Sequence, residues 1–174
     1  MQGQGSRIAR GAAVISGATF VSRILGFLRD VVLAFALGAG PAADAFFVAF
    51  RIPNLLRRLF AEGSLTMAFV PVFTETRQHQ GEAEAFALAR STLVWLVIIL
   101  GGLSLLALAA AAPITMLIAP GFVQNQDIFQ LTTELVRICF PYILFISSMA
   151  LCMGVLNSLQ HFLAPALAPA LLNI

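Results

Sequence analysis

Lysine is absent from this chain; all ten basic residues among its 174 are arginine. Every positive charge is therefore a planar guanidinium that stays protonated. Charge of either sign is scarce, at 10% of residues, where an ordinary soluble domain carries roughly 25%. A net charge of +2 is too small to argue for nucleic acid. Histidine occurs twice, as His79 and His161, and neither sits at metal-ligand spacing from another donor. There is no phosphate-binding glycine loop and no nucleotide domain, and no serine in a nucleophile elbow. An ATP-driven pump, a soluble-type enzyme, a metal site and a cofactor site thus find no support. The two cysteines, Cys139 and Cys152, share one apolar segment. Their spacing puts them on different faces of a helix, so they read as small apolar packing residues and not as a disulfide.

What the chain has instead is apolar surface: 60% hydrophobic residues and a mean hydropathy of +0.94. A membrane span needs about 20 apolar residues. The pattern predicts an all-α, polytopic membrane protein with spans at about 13–37, 44–75, 85–111 and 128–158. The second is overlong, kinked or broken at Gly63-Ser64. A fifth apolar segment opens at Phe162 and stops at Ile174, which suggests a piece of something longer. Arg7 and Arg10 precede a weak Gly/Ala/Ser-rich stretch that runs on through charges, so a cleaved secretory signal is not expected.

Charge in the connections sets an orientation. Arg7 and Arg10 lie in the N-terminal tail, Arg77 lies in the 76–84 connection and Arg90 follows it. The 38–43 turn and the 112–127 loop carry no positive charge. The positive-inside rule then places the N-terminus and residues 76–84 in the cytoplasm.

Arg23, Arg29 and Asp30 interrupt the first apolar stretch; Asp44, Arg51, Arg57 and Arg58 interrupt the second. A charged side chain near the bilayer centre costs at least about 2.5 kcal/mol. Charges kept at that cost usually face a water-filled cavity. Residues seven apart nearly align on a helix, so Asp44, Arg51 and Arg58 form a stripe about 21 Å long, with Asn54 beside it. In the first helix Ser22 aligns with Arg29, and Arg23 with Asp30. The two charged faces are expected to meet across a cavity, arginines pairing with carboxylates when empty and with an anion when loaded. Guanidinium forks suit diphosphate because they make paired, charge-assisted hydrogen bonds to its oxygens. Structural salt bridges between helices are the alternative reading. Glu134 and Arg137, at i, i+3, are expected to pair locally.

The runs SRILGFLRD, GAGPAADAFFVAFRIPNLLRRLFAEGSLTMAFVPVF, FPYI and LAPALAPALLNI resemble the MurJ (MviN) family. These are bacterial lipid II flippases of the multidrug/oligosaccharidyl-lipid/polysaccharide exporter superfamily. The resemblance implies the N-terminal helices of a two-lobe transporter in the bacterial inner membrane. It implies a polyprenyl-pyrophosphate-linked disaccharide peptide as substrate, turned from the cytoplasmic to the outer leaflet by alternating access. Membrane lipids and cell-wall synthesis proteins are the other implied partners; nucleic acid is not. Substrate-binding positions would be Ser22, Arg23, Arg29, Arg51, Arg57 and Arg58, with Asp30, Asp44 and Glu62 as cavity acids or gates. Competing readings are a polysaccharide or multidrug exporter of the same superfamily and a scaffold for cell-wall synthases. A cationic-drug exporter should display acidic residues where this chain shows arginine, and a scaffold needs no intramembrane arginine stripe.

Overall fold

A computed structural model describes residues 2–60, 64–171 and 173, and the side chains of 16–58, 65, 67–171 and 173. The helices are α1 (Gln2–Leu37), α2 (Pro41–Phe60), α3 (Ser64–Gln80), α4 (Glu82–Ala109), α5 (Ala111–Ile118), α6 (Gln126–Cys139), α7 (Tyr142–Ser158) and α8 (Leu163–Leu171). No strand occurs among the described residues, so the chain is all-α. Gly63, the expected break in the second span, lies outside the described residues, as does Glu62. Two compact units form, Met1–Gly38 with Leu156–Ile174, and Ala39–Val155.

In the first unit, α1 packs against α8. Gly38 closes α1. Its φ of +64° is left-handed backbone, and its N–H donates to the Ala34 carbonyl at 3.0 Å. That is the usual glycine stop of a helix. The end of α7 uses a related device. The His161 N–H reaches back to the Leu156 carbonyl at 2.9 Å, with Gln160 left-handed at φ +63°.

In the second unit, Pro41 begins α2, where its missing N–H costs nothing. Asp44 lies in the first turn of α2 and Arg57 and Arg58 in the last, each complementing the local end of the helix dipole. The packed side of α2 is small: Ala45 and Ala49 are fully buried. Ala49 joins Leu96, Leu100, Ala107, Ala111, Val136, Phe140 and Ile143 in one core with α4, α5, α6 and the start of α7, in which α2 packs chiefly on α6. Phe69 and Phe73 of α3 pack with Ala85 and Leu151 in a second cluster.

Residues 112–127, expected as a loop, are ordered: α5 runs to Ile118 and a 3-10 turn spans Pro120–Gln124. Its Thr115 is buried, anchoring the segment. The 128–158 span is two helices that meet at Phe140-Pro141. The expected Glu134–Arg137 pair does not form. Both side chains are exposed, and no ion pair joins them.

Glu82–Ala109 and Gln126–Ser158 are long and apolar enough to cross a membrane. Much of the apolar surface faces outward, Phe35 at 92% exposure and Leu117 at 84%. Water would penalise that surface; hydrocarbon does not, provided the backbone satisfies itself, as helices do.

Candidate functional site

Polar side chains gather at two places, one in each unit. The first is on α1. The guanidinium of Arg29 donates from Nε (3.1 Å) and Nη2 (2.8 Å) to Asp30 Oδ1. Its Nη1 donates to Asn173 Oδ1 at 2.9 Å. Asn173 in turn donates from Nδ2 to the Ser22 carbonyl (3.0 Å), Ser22 Oγ (3.2 Å) and the Pro169 carbonyl (3.0 Å). A single carboxamide thus ties Ser22 to Arg29 and both to the end of α8.

Gly26 makes that approach feasible. It lies between Ser22 and Arg29 on the same face of α1. A Cβ there would stand 3.5–3.6 Å from the Asn173 carboxamide. A methyl group would touch; a longer side chain would push Asn173 away. The Arg29 side chain remains 47% exposed and that of Asp30 66%. At that exposure the ion pair itself contributes little stability. A guanidinium has five N–H donors, so Arg29 keeps donors on both terminal nitrogens for a ligand. Arg23, one residue after Ser22, is exposed and bonds to no described residue. The expected alignment of Arg23 with Asp30 therefore yields no contact; Asp30 pairs with its immediate neighbour.

The second place is the exposed side of α2. Phe47, Phe50, Arg51, Asn54, Leu55 and Arg58 line a shallow groove of about 450 Å³. The Arg57 Nε donates to Asn54 Oδ1 at 3.1 Å, which holds Arg57 partly buried beside the groove. Arg51 and Arg58 are exposed and pair with none of the described residues. Asp44 is exposed too, one turn before Phe47, with no ion pair to a described residue. The expected stripe of Asp44, Arg51 and Arg58 is thus present on one helix. Sequence reasoning missed the rings among them. Phe46 stacks on Phe50 (centroids 5.9 Å, interplanar angle 6°) and meets Phe47 edge-on (5.8 Å, 66°). Phe50 also leans on Tyr142 at 5.7 Å. The available signal was FFVAF running into the arginines.

Asn173 was missed as well. Its signal was one polar residue inside an otherwise apolar LAPALLNI. Nothing in the sequence says that it lies against Ser22, 151 positions away. Glu62 lies outside the described residues.

A family model described as "Lipid II flippase MurJ" matches residues 33–174. The protein named lipid II flippase MurJ in Burkholderia cenocepacia is 43% identical over 165 residues, covering 95% of this chain and 32% of that protein. The probable lipid II flippase MurJ of Buchnera aphidicola subsp. Schizaphis graminum is 42% identical over 156 residues, covering 90% of this chain and 30% of its own length. That of Vibrio cholerae is 39% identical over 177 residues, with 97% and 33% covered. The chain spans about a third of the length of these curated relatives.

Proposed function

Since the chain belongs to the lipid II flippase MurJ family, we propose that it contributes the anion-binding helices of a flippase for a lipid-linked diphosphate. That substrate is lipid II, moved from the cytoplasmic to the outer leaflet by alternating access. The observation that carries the reading is Arg29. A permanently charged fork on a helix of a membrane protein is held by two partners, Asp30 and Asn173, yet keeps about half its surface open and two of its five N–H donors free of them. A purely structural arginine would have its donors satisfied, because unpaired charge in hydrocarbon is costly. The groove of α2 supplies further guanidiniums, Arg51 and Arg58, and Arg57 stands beside them. Ser22, Arg23, Asp30, Asp44 and Glu62 complete the proposed set, with Asp30 lowering the cost of the empty state by pairing with Arg29.

The chain is read as lying in the bacterial cytoplasmic membrane with its N-terminus inside. The excess of arginine around residues 76–84 over 112–127 supports this.

The test is replacement of Arg29 in the full-length protein. Arg29→Ala is expected to abolish support of cell-wall growth at normal membrane levels. Arg29→Lys should rescue partly, because charge survives but the paired donors do not. Full growth of the alanine variant would overturn the assignment and leave the scaffold reading in its place.

A further inference from the structure

No charged residue stands between Arg90 and Asp127. Arginine near the bilayer centre is costly, so the exposed Arg90 marks one edge of the hydrocarbon. A span of about 20 residues counted from there ends at Ala110. That is where α4 stops: Ala110, at φ −97° and ψ 19°, separates it from α5, and α5 turns onto α6. The segment from α5 through the 3-10 turn therefore begins at the level where the hydrocarbon ends.

The two sides of this segment differ. Ala111, Thr115 and Ala119, at i, i+4 and i+8, are buried and share one face. Thr115 Oγ1 lies 3.3 Å from Thr133 Oγ1, which ties that face to α6. The other side presents Pro113, Met116, Leu117 and Pro120, all exposed; Met116 is 51% exposed and Leu117 84%. Val123 in the 3-10 turn adds an open apolar side chain at 48%. Polar side chains are sorted along the chain and not around the helix. Gln124, Asn125, Gln126 and Asp127 follow in a row, all exposed. A face built to dock on protein has a polar rim around an apolar centre. Residues 113–123 have none, since their one polar side chain, Thr115, is buried. An apolar stretch that gives way to amides and a carboxylate suits the boundary where lipid chains give way to headgroups.

We propose that residues 113–123 form an interfacial foot, with Met116, Leu117 and Val123 inserted among the lipid chains of the leaflet at that end of α4. Interfacial helices commonly reinforce such contact with Lys or Arg against anionic lipid. This segment has no basic residue, so apolar contact alone holds it, and its depth is independent of lipid charge. Because α5 is tied to α6, and α2 packs on α6, the foot sets the height of that pair of helices against the bilayer.

The test uses the full-length protein with its native cysteines replaced, reconstituted in phosphatidylcholine vesicles. Met116→Cys, Leu117→Cys, Val123→Cys and Gln124→Cys each receive a nitroxide label. Collisions of the label with oxygen, which concentrates in hydrocarbon, and with a water-soluble nickel chelate report its depth. In the first three variants oxygen should relax the label several-fold more than nickel does, and Gln124→Cys should show the reverse. Three apolar positions guard against local disturbance by any one label. Adding phosphatidylglycerol to the vesicles should leave the pattern unchanged. Relaxation dominated by nickel at Met116→Cys and Leu117→Cys would put the segment in water. Protection from both reagents would mean that protein covers it, either the rest of the full-length chain or a second copy. Each of these results overturns the proposal, as does a depth that follows the phosphatidylglycerol content.

Discussion

Arg29 directs three N–H···O bonds at two acceptors, Asp30 Oδ1 and Asn173 Oδ1. The two restraints differ in kind. Asp30 is the next residue and moves with α1, so it orients the fork without anchoring it. Asn173 comes from beyond α8 and fixes the fork against a second element. Removing Asn173 should therefore loosen Arg29 while leaving its charge in place. A hydrogen bond to a charged group contributes about 1.5–3 kcal/mol, less here because the pair is half exposed. Asn173→Ala is expected to slow translocation by about ten-fold. The assay follows a fluorescent polyprenyl-diphosphate lipid in liposomes of the full-length protein with an external quencher. Adding Asn173→Ala to Arg29→Ala should do no further harm, since both act through one guanidinium. Gly26→Leu should mimic Asn173→Ala, because its side chain would occupy the space of the carboxamide. Unaltered rates in both Asn173→Ala and Gly26→Leu would show that the carboxamide does not position Arg29.

At the scale of elements, the α3–α4 turn sets a backbone effect against a charge effect. Gly81 separates the two helices with φ +96° and ψ 174°, a region essentially restricted to glycine. Across it, Arg77 Nη2 meets Glu82 Oε1 at 2.9 Å, with side chains 37% and 67% exposed. Forcing an L-residue into such a conformation costs about 1–3 kcal/mol, whereas an exposed ion pair contributes about 0–1 kcal/mol. The glycine, not the salt bridge, should hold this turn. Gly81→Ala is expected to destabilise the full-length protein by about 1–3 kcal/mol in denaturant titration, and Glu82→Gln by less than about 1 kcal/mol. A larger loss for Glu82→Gln would reverse that ranking. A similar comparison applies to Thr115 and Thr133. Their oxygens lie 3.3 Å apart, but each hydroxyl also has a helical carbonyl at 2.8–2.9 Å. With one proton each, they cannot serve every acceptor fully, so the cross-helix bond is the weaker of the contacts.

For the whole molecule, orientation decides toward which side of the membrane each connection lies. Gln80 at the end of α3 and Gln124 before α6 are both exposed, and the apolar helix α4 lies between them in the chain. With Cys139 and Cys152 replaced, a cysteine at Gln80 should react with an impermeant thiol reagent only from the cytoplasmic side. One at Gln124 should react only from outside. The reverse labelling would overturn the orientation.

The sequence alone determined that this is an all-α membrane chain. Long apolar runs and a shortage of charge leave no soluble alternative, and helical spacing depends only on the local backbone. It also determined that Asp44, Arg51 and Arg58 share one side of α2, and the blocks from SRILGFLRD to LAPALLNI were specific enough to show the family. Boundaries were less legible. The 112–127 segment is ordered because Thr115 and Ala111 are buried against other helices, a property of packing and not of local composition. The tertiary structure alone decided what each charge touches. Glu134 and Arg137 have the right spacing and make no pair; Arg29 finds Asp30 beside it and Asn173 far along the chain. Side-chain partners depend on distances between elements remote in sequence. No periodicity encodes those distances, so the clamp on Arg29 and the braced ring of Phe47 became visible only once the helices were packed.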